Sequence, residues 1–303
     1  MKSLLTVALL LTTSALAQTP MPVIPPTGHV HTPDVDLAYW VYGASQSTTP
    51  IFAVNGGPGL SHIYMVQNDV WQRIAQRRQV IFYDQRGDGA SPLTNPSAPQ
   101  TMDAQVADLD AIRSHLHLDK IDLCGDSFGG LLVIAYAAAH PDHVHQLIIS
   151  DGLPSWSSIV HLFPQVFPDR LEAQATAAKA STASAEVQAQ QSLRDHFAMI
   201  FYSPEKLAHY MANAPDLGFS PTTAAAVGAA TAHLDYNTAL AKFTFPTLVI
   251  NGRYDMNVAP LTAYRMYKAI PNAKLVIFEK SGHLPSYEEP DKYVQVLNNF
   301  LTN

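Results

Sequence analysis

Short apolar runs at residues 37–42, 51–54, 80–83, 121–124, 147–149, 248–250 and 275–278 recur along the chain, separated by stretches of helical character. This alternation limits the possible folds more than any other feature. Runs this short and continuous suit strands buried on both faces, as in a parallel sheet covered by helices. Between them, Val106, Leu109, Ile112 and Leu116 form an apolar stripe at helical spacing, and Tyr293, Val294, Val296, Leu297, Phe300 and Leu301 form another at the C-terminus. Strand and helix therefore alternate, which predicts an α/β doubly wound sheet.

One long segment interrupts the pattern. Residues 153–242 contain no convincing strand, and residues 172–190 are mostly Ala, Gln, Ser and Thr, a composition that favours helix. The segment is too long for a compact connection, so it reads as a helical cap set into the core. Trp156, Phe163, Phe167, Phe197, Phe201 and Tyr202 give it apolar material with which to dock. The resulting division is a signal peptide at 1–17, a first core part at 18–152, a cap at 153–242 and a second core part at 243–303.

The first segment reads as an export signal. Lys2 precedes an apolar stretch from Leu4 to Leu11, and Ala15, Leu16 and Ala17 form an A-x-A site. Cleavage near Ala17 predicts a periplasmic or secreted protein with no stable membrane insertion, since no stretch reaches the roughly 20 apolar residues of a span. A proline-rich, extended leader follows at 19–27. Cys124 is the only cysteine, so an exported chain gains no internal disulfide. The 18 Lys plus Arg against 25 Asp plus Glu give a net charge of -7, which disfavours a nucleic-acid partner.

Chemistry concentrates at the strand ends. Gly125-Asp126-Ser127-Phe128-Gly129 lies between an apolar strand and a helical run, the setting in which G-x-S-x-G forms a sharp elbow that exposes its serine. A serine hydroxyl needs a base to accept its proton and a third group to orient that base. Asp255 follows the strand at 248–250 and His283 follows the strand at 275–278, giving the order Ser127, Asp255, His283 of this architecture. Asp151, also at a strand end, is the rival orienting acid. The other histidines show neither H-E-x-x-H nor a cysteine cluster, so no metal site is expected. Asn55-Gly56-Gly57-Pro58-Gly59 follows the strand at 51–54, where the first oxyanion donor belongs; Gly57 and Phe128, the residue after the nucleophile, are the expected N-H donors. Asp84 and Arg86 read as a charged pair fastening their loop, Asp126 as an acid favouring a helix N-terminus, and Glu288, Glu289 and Pro290 as a helix start without chemistry.

NGGPG at 55–59 with Ser61, His62 and Tyr64, DQRGDGAS at 84–91, GDSFGG at 125–130, GRYD at 252–255 and SGH at 281–283 together resemble the prolyl iminopeptidase group of α/β-hydrolases, peptidase family S33. The resemblance implies an α/β-hydrolase fold with a mostly parallel sheet of about eight strands, an inserted helical cap and no cofactor. It also implies removal of an N-terminal residue, usually proline, from short peptides, with the triad and oxyanion roles on Ser127, Asp255, His283, Gly57 and Phe128. The sequence departs from the group's pattern at Asn55, where His is usual, at Ile63, often acidic, and at Met256, where members commonly carry a Glu that helps hold the substrate amine. Met cannot pair with an ammonium. Cap acids Glu186, Asp195, Glu205, Asp216 and Asp235 are the alternatives. If none serves, the chain reads instead as a carboxylesterase or related small-molecule acyl hydrolase, with His62, Tyr64, Met256 and cap aromatics lining its pocket.

Overall fold

A computed structural model describes residues 24–44, 47–159, 162–214 and 217–301. The expected signal peptide, and with it most of the proline-rich leader, lies outside the described residues. The strands are β1 (Gly28–His31), β2 (Asp36–Tyr42), β3 (Ile51–Val54), β4 (Val80–Tyr83), β5 (Ile121–Asp126), β6 (Val144–Ser150), β7 (Thr247–Gly252) and β8 (Ala273–Phe278). They form one sheet in the order β1-β2-β4-β3-β5-β6-β7-β8. β2 runs antiparallel to both β1 and β4, and every other neighbouring pair is parallel.

Helices cover both faces. α1 (Val70–Ala75), α2 (Met102–His115) and α3 (Phe128–Ala139) follow β3, β4 and β5 in turn. α4 (Phe163–Val166), α5 (Pro168–Ala180), α6 (Ala185–Ile200), α7 (Pro204–Asn213), α8 (Pro221–Thr231) and α9 (Asn237–Leu240) separate β6 from its sheet neighbour β7. α10 (Pro260–Ala269), α11 (Pro285–Glu288) and α12 (Pro290–Phe300) complete the chain.

The strand side chains sort by the two-residue period. Phe52 and Val54 join a core cluster with Leu109 and Ile112 of α2, Leu131 of α3 and Met266 of α10. Ile51 and Ala53 join the opposite cluster with Trp71 of α1 and Leu297 and Phe300 of α12. β3, β4, β5 and β7 are buried throughout, which is why β3 and β4 are apolar along their whole length and β5 and β7 have apolar centres, with buried Asp122 of β5 paired to Arg78 and His145. Each fully buried Leu, Ile or Phe contributes about 1.5–3 kcal/mol relative to exposure. The edge strand β1, Gly-His-Val-His, lacked such a run and was not anticipated.

The helical tract expected over 172–190 is divided. α5 ends at Ala180, and Ser184 caps the start of α6 by accepting the Val187 N–H at 3.3 Å. α5 buries no residue, whereas α6 turns Phe197, Met199 and Ile200 inward. Phe197 and Ile200 join the second core cluster, Trp156 stacks at 6.2 Å on Phe128, and Tyr202 lies exposed against Tyr254. Among the described residues no helix is long and apolar enough to cross a membrane.

Candidate active site

Ser127 stands between the end of β5 and the first residue of α3 with φ 55° and ψ -119°. This left-handed backbone is costly for a side chain larger than glycine and persists only where the surroundings enforce it. The enforcing contacts are close: a Cβ on Gly125 would collide with the Gly129 carbonyl, and one on Gly129 with the carbonyls of Val54 and Asn55. Glycine at both positions lets strand and helix approach until the serine is lifted out of the turn.

His283 Nε2 lies 2.9 Å from Ser127 Oγ, and Nδ1 lies 2.7 Å from Asp255 Oδ2. Asp255 is fully buried and accepts further hydrogen bonds from Asn251 Nδ2 at 3.0 Å and from the N–H groups of Asn257 and Val258 at 2.8 and 2.9 Å. These contacts hold the Asp255 carboxylate in place, so the neutral imidazole carries its proton on Nδ1, facing Oδ2. Burial lowers the His283 pKa, but Asp255, with smaller help from Asp151 and Asp126, more than offsets it and raises it to about 9.

Asp151 has a different task. Its Oδ1 accepts from Asn251 Nδ2 at 2.7 Å and from Gly252 N–H at 2.9 Å, so it fastens the end of β7. Burial, and then repulsion by Asp255, push this carboxyl well above the ordinary range. Asp151, Asp255 and His283 have ligating atoms within 4.8 Å of one another, and all three side chains are engaged in hydrogen bonds with one another or with Asn251.

The loop after β3 meets the same point. Asn55 donates its amide to Leu60 O at 2.6 Å and Gly56 O at 3.1 Å, closing the loop where the resembling group uses His. Gly56 N–H donates to Tyr64 Oη at 2.6 Å, and Tyr64 in turn donates to Asp126 Oδ2 at 2.5 Å. Gly57 and Ser127 line one cavity of about 270 Å3. Phe128 opens α3, where a backbone N–H has no acceptor within the helix.

The chain matches the α/β hydrolase fold family over residues 49–290. The chain belongs to the α/β-hydrolases and is prolyl iminopeptidase-like. This hydrolase is 30% identical over 286 residues to a proline iminopeptidase of Lactobacillus delbrueckii subsp. bulgaricus, covering 86% of this chain and 92% of the relative. It is 33% identical over 276 residues to one from Clostridium botulinum, covering 83% and 89%. In fold it resembles an esterase from a Rhodococcus species, with TM-score 0.76 at 22% identity over 92% of this chain and 98% of the other. An α/β-fold hydrolase of Bacillus anthracis gives TM-score 0.73 at 22% identity, covering 90% and 98%.

Not every expected pocket residue of the hydrolase reaches the cavity. Tyr64 lines it. His62 does not: its ring packs against Trp40 at 4.0 Å and gives Nδ1 to Asp84 at 2.8 Å, a buried brace beneath the loop. Met256 is half-buried beside the cavity's actual lining residue, Asn257, whose Nδ2 lies 3.2 Å from His283 Nε2. Asp84 and Arg86 do not pair with each other. Asp84 holds His62 and the Ala90 N–H, while Arg86 grips Asp108 through two contacts of 2.6 Å.

Several site residues escaped the sequence reading. His196 lines the cavity from α6, where Leu193, His196, Phe197 and Ile200 share one face; a histidine inside an apolar helical stripe was the available signal. Burial, with repulsion from His283, lowers its pKa to about 4, so it is neutral at pH 7. Glu289 and Pro290 open α12 as expected, but Glu288 has a further task. It is buried and accepts N–H groups from Gly282, Tyr202 and Ser203. Of the acids in the helical excursion, Glu186, Glu205 and Asp235 are exposed, and half-buried Asp195 bonds Gln191. Asp216 lies outside the described residues. Among the described residues Asp126 is the one carboxylate lining the cavity.

Proposed function

We propose that the chain is an exported serine hydrolase that cleaves amide or ester bonds through an acyl-enzyme, most like a proline iminopeptidase removing N-terminal residues from short peptides. The observation that carries this reading is the continuous line from Asp255 through His283 to Ser127, with contacts of 2.7 and 2.9 Å. His283 takes the proton from Ser127 as Oγ attacks the carbonyl, then delivers it to the leaving amine; water repeats the sequence on the acyl-enzyme. The N–H groups of Gly57 and Phe128 hold the oxyanion. No cofactor enters this chemistry. Residues 153–242 act as a cap on a core formed by 18–152 and 243–303, and residues 1–17 direct export before removal.

The named relatives support the peptidase reading. A carboxylesterase is the second reading, favoured by the absence of any described acid of the helical excursion from the cavity lining. Labelling by a serine-directed phosphonate tests the mechanism: it should vanish in Ser127→Ala, and persistence would remove Ser127 as nucleophile. Turnover of proline and alanine anilides, compared with their N-acylated forms and with short-chain esters, tests the substrate. Hydrolysis confined to esters removes the aminopeptidase.

A further inference from the structure

An aminopeptidase must hold an ammonium one carbon from the carbonyl it attacks. In a largely apolar cavity that cation needs a carboxylate partner, because an unpaired buried charge is strongly unfavourable. Leu193, Phe197, Ile200 and Phe219 offer none, and His196 is neutral. We infer that Asp126, the residue before the nucleophile, is the carboxylate that recognises the substrate's free amine. This inference rests on the aminopeptidase reading above.

Three observations carry it. Asp126 lines the same cavity as Ser127 and His283, and it ends β5 immediately before the elbow, so its position relative to the attacked carbonyl is fixed by the strand. Its Oδ2 is held at 2.5 Å by Tyr64, whose hydroxyl is itself held by Gly56 N–H at 2.6 Å. The carboxylate is therefore anchored at one oxygen, and among the described residues no lysine or arginine pairs with it. A carboxylate that is 6% exposed, to which among the described residues no cationic side chain hydrogen-bonds and which only His283 acts on from a distance as a cation, is prepared for a cation brought by the ligand. The ionisable groups facing it are Tyr64, His283 and Asp255, with Asp151, Cys124, Tyr210 and Tyr293 also within its field; burial dominates among its influences and lifts its pKa to about 6, so it is ionised where the amine is still protonated.

The position also explains how Met256 is tolerated. The amine partner moves from the loop after β7 to the end of β5, two strands away in the sheet.

The test measures binding without turnover. L-prolinamide and N-acetyl-L-prolinamide are titrated calorimetrically into Ser127→Ala and into Ser127→Ala with Asp126→Asn, which keeps an acceptor for Tyr64. Prolinamide should bind Ser127→Ala about 10- to 100-fold more tightly than the double variant, the loss expected for one charge-assisted hydrogen bond, while the acetylated amide binds both equally. Equal prolinamide affinity in the two proteins, or no preference for the free amine in Ser127→Ala, overturns the inference. In an otherwise wild-type enzyme, Asp126→Asn should raise KM for proline anilide far more than it lowers kcat. Tyr64→Phe, which frees the oxyanion loop, should lower kcat for amine and ester substrates alike. Amine-selective binding without anilide turnover would sink the peptidase reading and leave Asp126 as the amine site. Anilide turnover with discrimination unchanged in Asp126→Asn would sink the Asp126 assignment alone.

Discussion

The carboxylate of Glu288 accepts the backbone N–H of Gly282 at 2.6 Å, one residue before the histidine of the triad. Its other bonds reach Tyr202 and Ser203, just beyond α6, and the His283 N–H donates to Ile200 O at 2.8 Å. A Cβ on Gly282 would collide with that same Ile200 carbonyl, so glycine is required for the histidine loop to meet the end of α6. Glu288→Ala should strand the buried Gly282 N–H and the partly buried ones of Tyr202 and Ser203, destabilising the protein by about 2–4 kcal/mol. Because the displaced loop carries His283, kcat should fall more than KM rises. Urea unfolding and steady-state kinetics check both effects; an unchanged kcat would show that Glu288 braces the fold and not the base.

Asp255 and Asp151 make opposite predictions. Asp255→Asn should lower kcat about 10,000-fold, because an amide favours the wrong imidazole tautomer while keeping the geometry. Asp151→Asn can still accept from Gly252 N–H and Asn251, and should change kcat less than about tenfold. Reversed magnitudes would exchange their roles.

The pH profile follows from His283. In the proposed mechanism its neutral form is the base, so kcat/KM for an ester without an amine should rise with pH until it levels near pH 9. Stability should move the other way. A histidine whose folded pKa exceeds its unfolded value of 6.5 contributes stability that is fully present below pH 6.5 and lost as pH rises through about 9. Rates and thermal midpoints measured from pH 6 to 10 should therefore diverge. Levelling near pH 6.5 would mean that Asp255 does not hold the imidazole in the free enzyme.

Cys124 lies inside β5, fully buried with its Sγ 3.7 Å from Tyr293 Oη, and burial raises its pKa to about 12. The native protein should show no reaction with a thiol-specific disulfide reagent, and one thiol should appear on denaturation. Rapid native labelling would contradict the placement of β5 at the sheet centre.

Local patterning was enough for the central strands, for the stripes of α2 and α12, and for the elbow at Ser127, because a parallel strand covered on both faces needs a mostly apolar run and a tight strand-to-helix turn must use glycine. Chain order likewise pointed to Asp255 and His283. Choosing between Asp255 and Asp151 required three dimensions: both acids end a strand, and only the folding of the loop after β7 aims one of them at Nδ1. The same holds for His62, a motif residue turned into a brace, and for Glu288, whose partners lie more than eighty residues earlier in the chain as well as nearby. The sequence by itself determined which strands are central and which serine stands at their edge, since periodicity and glycine sterics act between near neighbours. The tertiary structure alone decided which carboxylates face the histidine, the cavity or a backbone amide, because a side chain's charge partners depend on distant segments that pattern along the chain does not encode.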